Sequence, residues 1–382
     1  MDEYIIFLII LTSGLFFSEI FKRLHLPYVV ALIAAGIFIG PLGLDIIELT
    51  PPIEFLGSLG AVFLMFMAGM EVRTDILARN KKKLIIVALI NGAIPALLGF
   101  TVTTLFGYDT LASMLIGAIF ISSSIAVIIP SLEEKGLMES DIGTIIVGAV
   151  MIEDIGSLFI LSILLQTADP TTPLPLPAFI AIVIASIIIL KSILPRLETG
   201  FFKKIARTGF EEKLQFVFII LIAVAVYFEL LGMHAIVAGF LVGLILSGTI
   251  RQEHVVTKLH ALSYGIFIPV FFLTVGIETD LTVFQKAGDA LTLTLAITGS
   301  LIISKLLSGY LAGHLVGFTR KKNLLVGFAS VPQLSTSLAV AFTALELGLL
   351  DPSLQVSIVF LSIITVLLAP FIVGSLAKSA LE

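Results

Sequence analysis

Between Gly148 and Leu161 the chain reads GAVMIEDIGSLFIL, which sets two adjacent carboxylates, Glu153 and Asp154, inside a long apolar run. An acidic residue at the centre of a membrane helix costs roughly 2.5–3.5 kcal/mol on insertion scales, so two in succession demand partners, water or a task. The chemistry open to them is the binding of a cation or a proton. A third charge, Lys305 in LIISKLLSGYLAG, lies in another apolar run. Successive helix positions turn by about 100°, so Glu153 and Asp154 face different neighbours. One can pair with Lys305 while the other faces a cavity. Hydroxyl side chains gather in two further runs, Ser122-Ser123-Ser124 and Ser335-Thr336-Ser337, flanked by Pro130 and Pro332.

The elements that must position these groups follow from composition. Of the 382 residues, 58% are hydrophobic and 13% charged, and the mean hydropathy is +1.16, which excludes an ordinary soluble domain and predicts an all-α polytopic membrane protein in a lipid bilayer. The absence of cysteine excludes disulfides and thiolate metal sites, and five scattered histidines without an HExxH pairing argue against zinc. No cofactor and no nucleic-acid partner are expected. The N-terminal run is acidic before and basic after its apolar stretch and has no small-residue cleavage pattern, so it is read as the first span. Runs near the bilayer-spanning length fall at about 3–21, 27–43, 53–71, 83–106, 110–132, 141–166, 174–195, 213–231, 233–249, 259–278, 289–317, 323–348 and 353–378. That makes about thirteen transmembrane helices. Asp154 falls roughly 18 Å from either end of its run at 1.5 Å per residue, and Lys305 is similarly central.

Apart from Lys286 and the membrane residue Lys305, every basic residue falls in or around the loop after an odd-numbered span or near the C-terminus. Because cytoplasmic loops retain Lys and Arg, the N-terminus is expected outside and the C-terminus in the cytoplasm.

Internal similarity points the same way. Gly36 recurs as Gly243 and Gly69 as Gly276 at one common offset, and Ser122-Ser123-Ser124-Ile125-Ala126-Val127 recurs as Ser335-Thr336-Ser337-Leu338-Ala339-Val340. An odd number of spans separates each pair, so the halves enter the membrane with opposite topology, as in transporters built from inverted repeats. The whole chain is then a single transporter unit, with repeats over about 1–166 and 213–382 joined by the helix at 174–195. Proline lacks a backbone N–H, and unwound backbone at membrane depth is tolerated only inside protein or beside a wet cavity. The two hydroxyl runs are therefore expected to be breaks that cross, with carbonyls and hydroxyls near the carboxylates. Glu153 and Asp154 map onto Val366 and Leu367 in the other repeat, so the charges belong to one half only. Asn91 is also deep; it is read as a hydrogen bond between packed helices, with support of the site as the alternative. His254 and His260 are candidate pH sensors.

These motifs resemble the monovalent cation-proton antiporters of the NapA/Kef-like branch over essentially the whole chain. GAVMIEDIGSLFIL resembles that family's paired-residue helix, ISSSIAVIIPSLEEKGLM the broken helix before it, and ISKLLSGYLAG the helix with the membrane lysine. The resemblance implies an NhaA/NapA-like fold with crossed discontinuous helices and a homodimer. It also implies a prokaryotic plasma-membrane location and a role in pH homeostasis. Residue by residue, it implies that Asp154 binds the ion, Na+ first and Li+ or K+ otherwise, and that Glu153 pairs with Lys305. Ser122, Ser123, Ser124, Ser335, Thr336 and Ser337 then support the site. The chain departs from the pattern at Glu153, where relatives carry Asp, Asn or, in Kef proteins, Gln, and at Pro332-Gln333-Leu334-Ser335, where a PRGE-like run loses both charges.

The expected function is secondary Na+/H+ exchange by competition of cation and protons for membrane carboxylates. Two carboxylates and a lysine suggest electrogenic exchange, unless a Glu153–Lys305 pair that never breaks makes it a structural tie. K+/H+ antiport of the Kef type is the alternative, and a sodium-coupled solute symporter the weaker one. An enzyme is not expected: an intramembrane aspartyl protease needs two aspartates on separate helices, and Asp154 has no such partner.

Overall fold

The computed structural model describes residues 3–24, 26–41, 43–70, 81–124, 127–128, 132, 136–137, 140–168, 174–205, 210–248, 250, 253–279, 281–282 and 288–381. Pro130 and Lys286 lie outside them, as does the side chain of His254. The described chain is helical throughout its ordered elements, as composition requires, and eight helices are long and apolar enough to cross a membrane. It divides into two compact units, one of residues 1–20, 31–74 and 162–277 and the other of residues 21–30, 75–161 and 278–382.

The first unit is built from α1 (Glu3–Arg23), most of α2 (Tyr28–Ile39), α3 (Pro51–Met70), α7 (Leu176–Ile205), α8 (Phe210–Leu230), α9 (Ala235–Ser247), α10 (Glu253–Leu262) and α11 (Ile268–Ile277). Helices α10 and α11 are joined by a π-helical turn, Ser263–Phe267. Where sequence reading ended a span at Pro195, α7 runs on through it to Ile205. Its apolar part stops at Leu197, and the last turns carry Lys203 and Lys204, which need not lie in lipid. Helix α3 packs against α9 and α11. Glycines let these backbones approach: a Cβ at Gly36 would stand 2.9 Å from Gly276 Cα, and one at Gly243 3.0 Å from Gly69 Cα. No larger residue fits at these crossings, and in lipid such close packing, not water exclusion, holds helices together. The sequence offset that relates Gly36 to Gly243 and Gly69 to Gly276 turns one of these contacts into the other.

The second unit holds α4 (Lys81–Leu105), α5 (Thr110–Ile121), most of α6 (Asp141–Ala168), α12 (Gly288–Leu315), α13 (Arg320–Ala329), α14 (Ser335–Glu346) and α15 (Pro352–Leu381). Helix α4 packs on α5 and α12, and α12 on α13 and α15. The runs expected at 110–132 and 323–348 are both interrupted, the first at the hydroxyls Ser122–Ser124 but the second at 330–334, so that Ser335, Thr336 and Ser337, expected within the break, instead form the first turn of α14 because Pro332 stops α13 before them. Helix α5, N-capped by Asp109, whose Oδ1 accepts from Ala112 N at 2.8 Å, stops at Ile121, and Ser122 is extended with φ −66° and ψ 166°. Ser, having an alternative backbone partner in its own hydroxyl, competes with the helix ladder; here Ser122 Oγ donates to Ile119 O at 3.0 Å. Helix α13 stops at Ala329, because the ring of Pro332 crowds the residue before it and disfavours the helical region for Val331. The two breaks pair through backbone, Ser124 N donating to Pro332 O at 2.8 Å.

Candidate functional site

All the charged groups singled out in the sequence lie in the second unit and are buried: Glu153 is 2% exposed, Asp154 3% and Lys305 0%. Lys305, midway along α12, reaches Glu153 Oε2 of α6 at 3.2 Å. Its Nζ also lies 2.8 Å from Ile121 O, 3.1 Å from Ser123 Oγ and 3.3 Å from Asn91 O. The two carbonyl acceptors have local causes. Ile121 O is at the end of α5, where carbonyls have no intrahelical donor and the dipole is negative. Asn91 O is freed because Pro95, four residues on inside α4, has no N–H to give it. A buried ammonium needs such a set, since its desolvation is offset only by good geometry and full hydrogen bonding.

Glu153 is equally occupied. Its Oε1 accepts from Asn91 Nδ2 at 2.9 Å, and its Oε2 accepts from the lysine and lies 3.4 Å from Ser123 Oγ. Asn91 is held in turn by Ser308 Oγ, which donates to its Oδ1 at 2.8 Å.

Asp154 is different. Its carboxylate faces the hydroxyl of Thr336 and the backbone N–H of Ser123, yet among the described residues its Oδ1 accepts no hydrogen bond. The Ser124 hydroxyl is likewise buried and without a hydrogen-bond partner among the described residues, and the buried Thr336 hydroxyl has none there besides the Asp154 carboxylate it faces. Leaving a buried polar atom unpaired costs about 1–3 kcal/mol, so Asp154 Oδ1 and the Thr336 hydroxyl that its carboxylate faces are oxygens suited to a hard cation, and the Ser124 hydroxyl, next in sequence to the Ser123 N–H, is a third one without a partner among the described residues.

The sequence-predicted hydroxyls thus divide by task. The Ser122 and Ser337 hydroxyls lie 3.1 Å apart across the breaks, Ser123 binds Lys305 and donates to Ser330 O at 2.8 Å, Thr336 faces Asp154, and Ser124 stays unpaired among the described residues. Ser335 opens α14 and is buried.

A profile of the family described as "Sodium/hydrogen exchanger, transmembrane" matches residues 7–379. The chain belongs to the sodium/hydrogen exchanger family. This exchanger is 33% identical over 380 residues to a Methanocaldococcus jannaschii protein named "Probable Na(+)/H(+) antiporter 3", covering 97% of this chain and 95% of that one. It is 26% identical over 378 residues to the "Na(+)/H(+)-K(+) antiporter GerN" of Bacillus cereus, covering 95% and 93%. In fold it is similar to the sodium proton antiporter MjNhaP1 from Methanocaldococcus jannaschii at pH 8, with a TM-score of 0.74 and 18% identity across 98% of this chain and 97% of that one.

Sequence reasoning about the exchanger missed two contributors, Gln333 and Ser308, and left a third open. Asn91, read as a hydrogen bond between packed helices or as support of the site, makes a hydrogen bond across helices to Glu153 itself. The spacing of Asn91 and Pro95 on one helix was the signal that could have found its free carbonyl. Gln333 was seen only as a departure from a charged motif, and Ser308, one turn beyond Lys305, had no distinguishing signal in the sequence.

Proposed function

We propose that this exchanger moves Na+ in one direction and H+ in the other across the membrane, with Asp154 as the carboxylate for which both compete. The observation that carries the reading is the contrast between the two neighbouring carboxylates: Glu153 has both oxygens engaged, whereas Asp154 keeps an unpaired Oδ1 and faces only the Thr336 hydroxyl and the Ser123 N–H among the described residues. Na+ entering this set takes oxygen ligands and displaces a proton from Asp154; protonation releases the ion. In this reading Glu153 and Lys305 form the tie that holds α6, α12 and the end of α5 around the site. Opening of that tie within the cycle supplies a second proton and makes exchange electrogenic.

The MIEDIGS context supports membership of the NapA/Kef-like branch. The exchanged glycine contacts, Gly36 with Gly276 and Gly243 with Gly69, support inverted repeats over about 1–166 and 213–382 with a linking helix. A homodimer in a prokaryotic plasma membrane, N-terminus outside, completes the reading, with transport and no enzymatic step. Potassium in place of sodium is the second reading, favoured by the name of the Bacillus cereus relative.

The experiment is exchange in proteoliposomes under an imposed pH gradient, with sodium, lithium and potassium in turn. Asp154→Asn removes the ionisable ligand at almost constant volume, so it abolishes exchange while the protein remains folded and extractable. Cation-dependent proton flux retained in that variant removes Asp154 from the mechanism.

A further inference from the structure

Gln333 joins both breaks through one neutral side chain. It is 0% exposed. Its Nε2 donates to Ser122 O at 2.6 Å, just past the C-terminal end of α5. Its Oε1 accepts from Ser337 Oγ in the first turn of α14 and lies 3.4 Å from Ser122 Oγ. The backbone N–H of Gln333 donates to Thr365 Oγ1 of α15 at 3.1 Å. One residue therefore ties the end of α5, the start of α14 and the middle of α15.

The chemistry of the amide suits that place. A primary amide offers a donor and an acceptor in one plane, whereas an ionised carboxylate only accepts and a guanidinium only donates. Ser122 O, past a helix end, needs a donor, and the Ser337 hydroxyl needs an acceptor. The amide meets both needs without bringing a charge close to Asp154. The residues it holds are the immediate neighbours of those that face Asp154: Ser122 precedes Ser123, and Ser337 follows Thr336.

Resting on the reading of Asp154 as the cation ligand, we propose that Gln333 is a positioning residue for cation binding: its amide sets the register of the two breaks so that the Ser124 and Thr336 hydroxyls are presented to the ion.

Two variants in proteoliposomes test this. Gln333→Leu leaves Ser122 O without its donor, so the sodium concentration for half-maximal exchange rises about tenfold while the maximal rate stays within about twofold. The sodium concentration that raises the melting temperature of the purified protein moves in parallel. In Gln333→Glu a protonated carboxyl keeps one donor and one acceptor and bridges as the amide does, but the ionised form has lost the donor. Glu153, Asp154 and Lys305 titrate in both proteins, so the comparison is with wild type at each pH. Gln333→Glu keeps wild-type sodium affinity at acid pH and loses about tenfold as pH rises.

Wild-type sodium affinity in folded Gln333→Leu overturns the proposal. So does a lowered maximal rate at unchanged affinity, the mark of a scaffold role. Should Gln333→Leu not fold, a Gln333→Glu profile that parallels wild type at every pH overturns it alone. Failure of the unaltered protein to exchange sodium sinks the transport reading itself, a result distinct from intact wild-type exchange with indifferent variants.

Discussion

At the scale of single residues, Glu153 and Lys305 are a buried pair with no slack. The ammonium has a carboxylate, a hydroxyl and two backbone carbonyls within 3.3 Å. Removing one member of such a pair leaves the other charge uncompensated, at a cost of about 3–5 kcal/mol. Lys305→Gln alone is therefore expected to lower the melting temperature more than Lys305→Gln combined with Glu153→Gln, since two neutral amides can bond each other and Asn91 where the ions had been. A double-mutant cycle on thermal stability reads the coupling, expected at about 0.5–3 kcal/mol, alongside charge moved per cation in liposomes. Strict additivity of the single changes would show that the pair is not energetically coupled, and the electrogenic reading would lose its support.

At the scale of elements, the short helices matter most, because they end inside the protein and their caps become part of its chemistry. Helix α9 is one of them. Its N-cap is His234, whose Nδ1 accepts from Ile236 N at 3.4 Å in the turn after α8, outside both helices. His234→Ala removes that cap and should lower the melting temperature, whereas His234→Asn keeps a good N-cap and should stay close to wild type; equal losses in the two variants would show that the cap contributes nothing. The sequence had singled out His254 and His260. His260 is exposed and stacks on Tyr264 at a centroid distance of 4.2 Å.

At the scale of the whole molecule, the absence of cysteine makes orientation directly measurable, since any introduced cysteine is the sole thiol. Asp351, in the turn before α15, and Lys321, in the first turn of α13, are both exposed. With the N-terminus outside, Asp351→Cys should react with a membrane-impermeant maleimide added to intact cells, and Lys321→Cys only after the membrane is opened. The reverse pattern would invert the topology read from the basic loops.

Much of this protein was legible in the one-dimensional chain, because lipid is a demanding solvent. Apolar runs of spanning length have few alternatives to helix in a bilayer, and a charge within them must have a reason to be there. Hence the all-α class, the two breaks and the trio of Glu153, Asp154 and Lys305 could be read without coordinates. Which carboxylate takes the lysine could not, because helix periodicity separates the two directions without saying what lies along each. The same holds for the hydroxyls: Ser122, Ser123 and Ser124 look alike in a run, yet once the helix ends at Ile121 their side chains no longer follow helical spacing, and one lies against Ser337, one holds Lys305 and one stays unpaired among the described residues. Asn91 and Gln333 entered the site through partners more than two hundred residues away in sequence, Lys305 and Ser122. Only the packing of α4, α5, α12 and α14 decides such contacts, since hydrogen bonds depend on where atoms meet and not on the order in which residues follow one another.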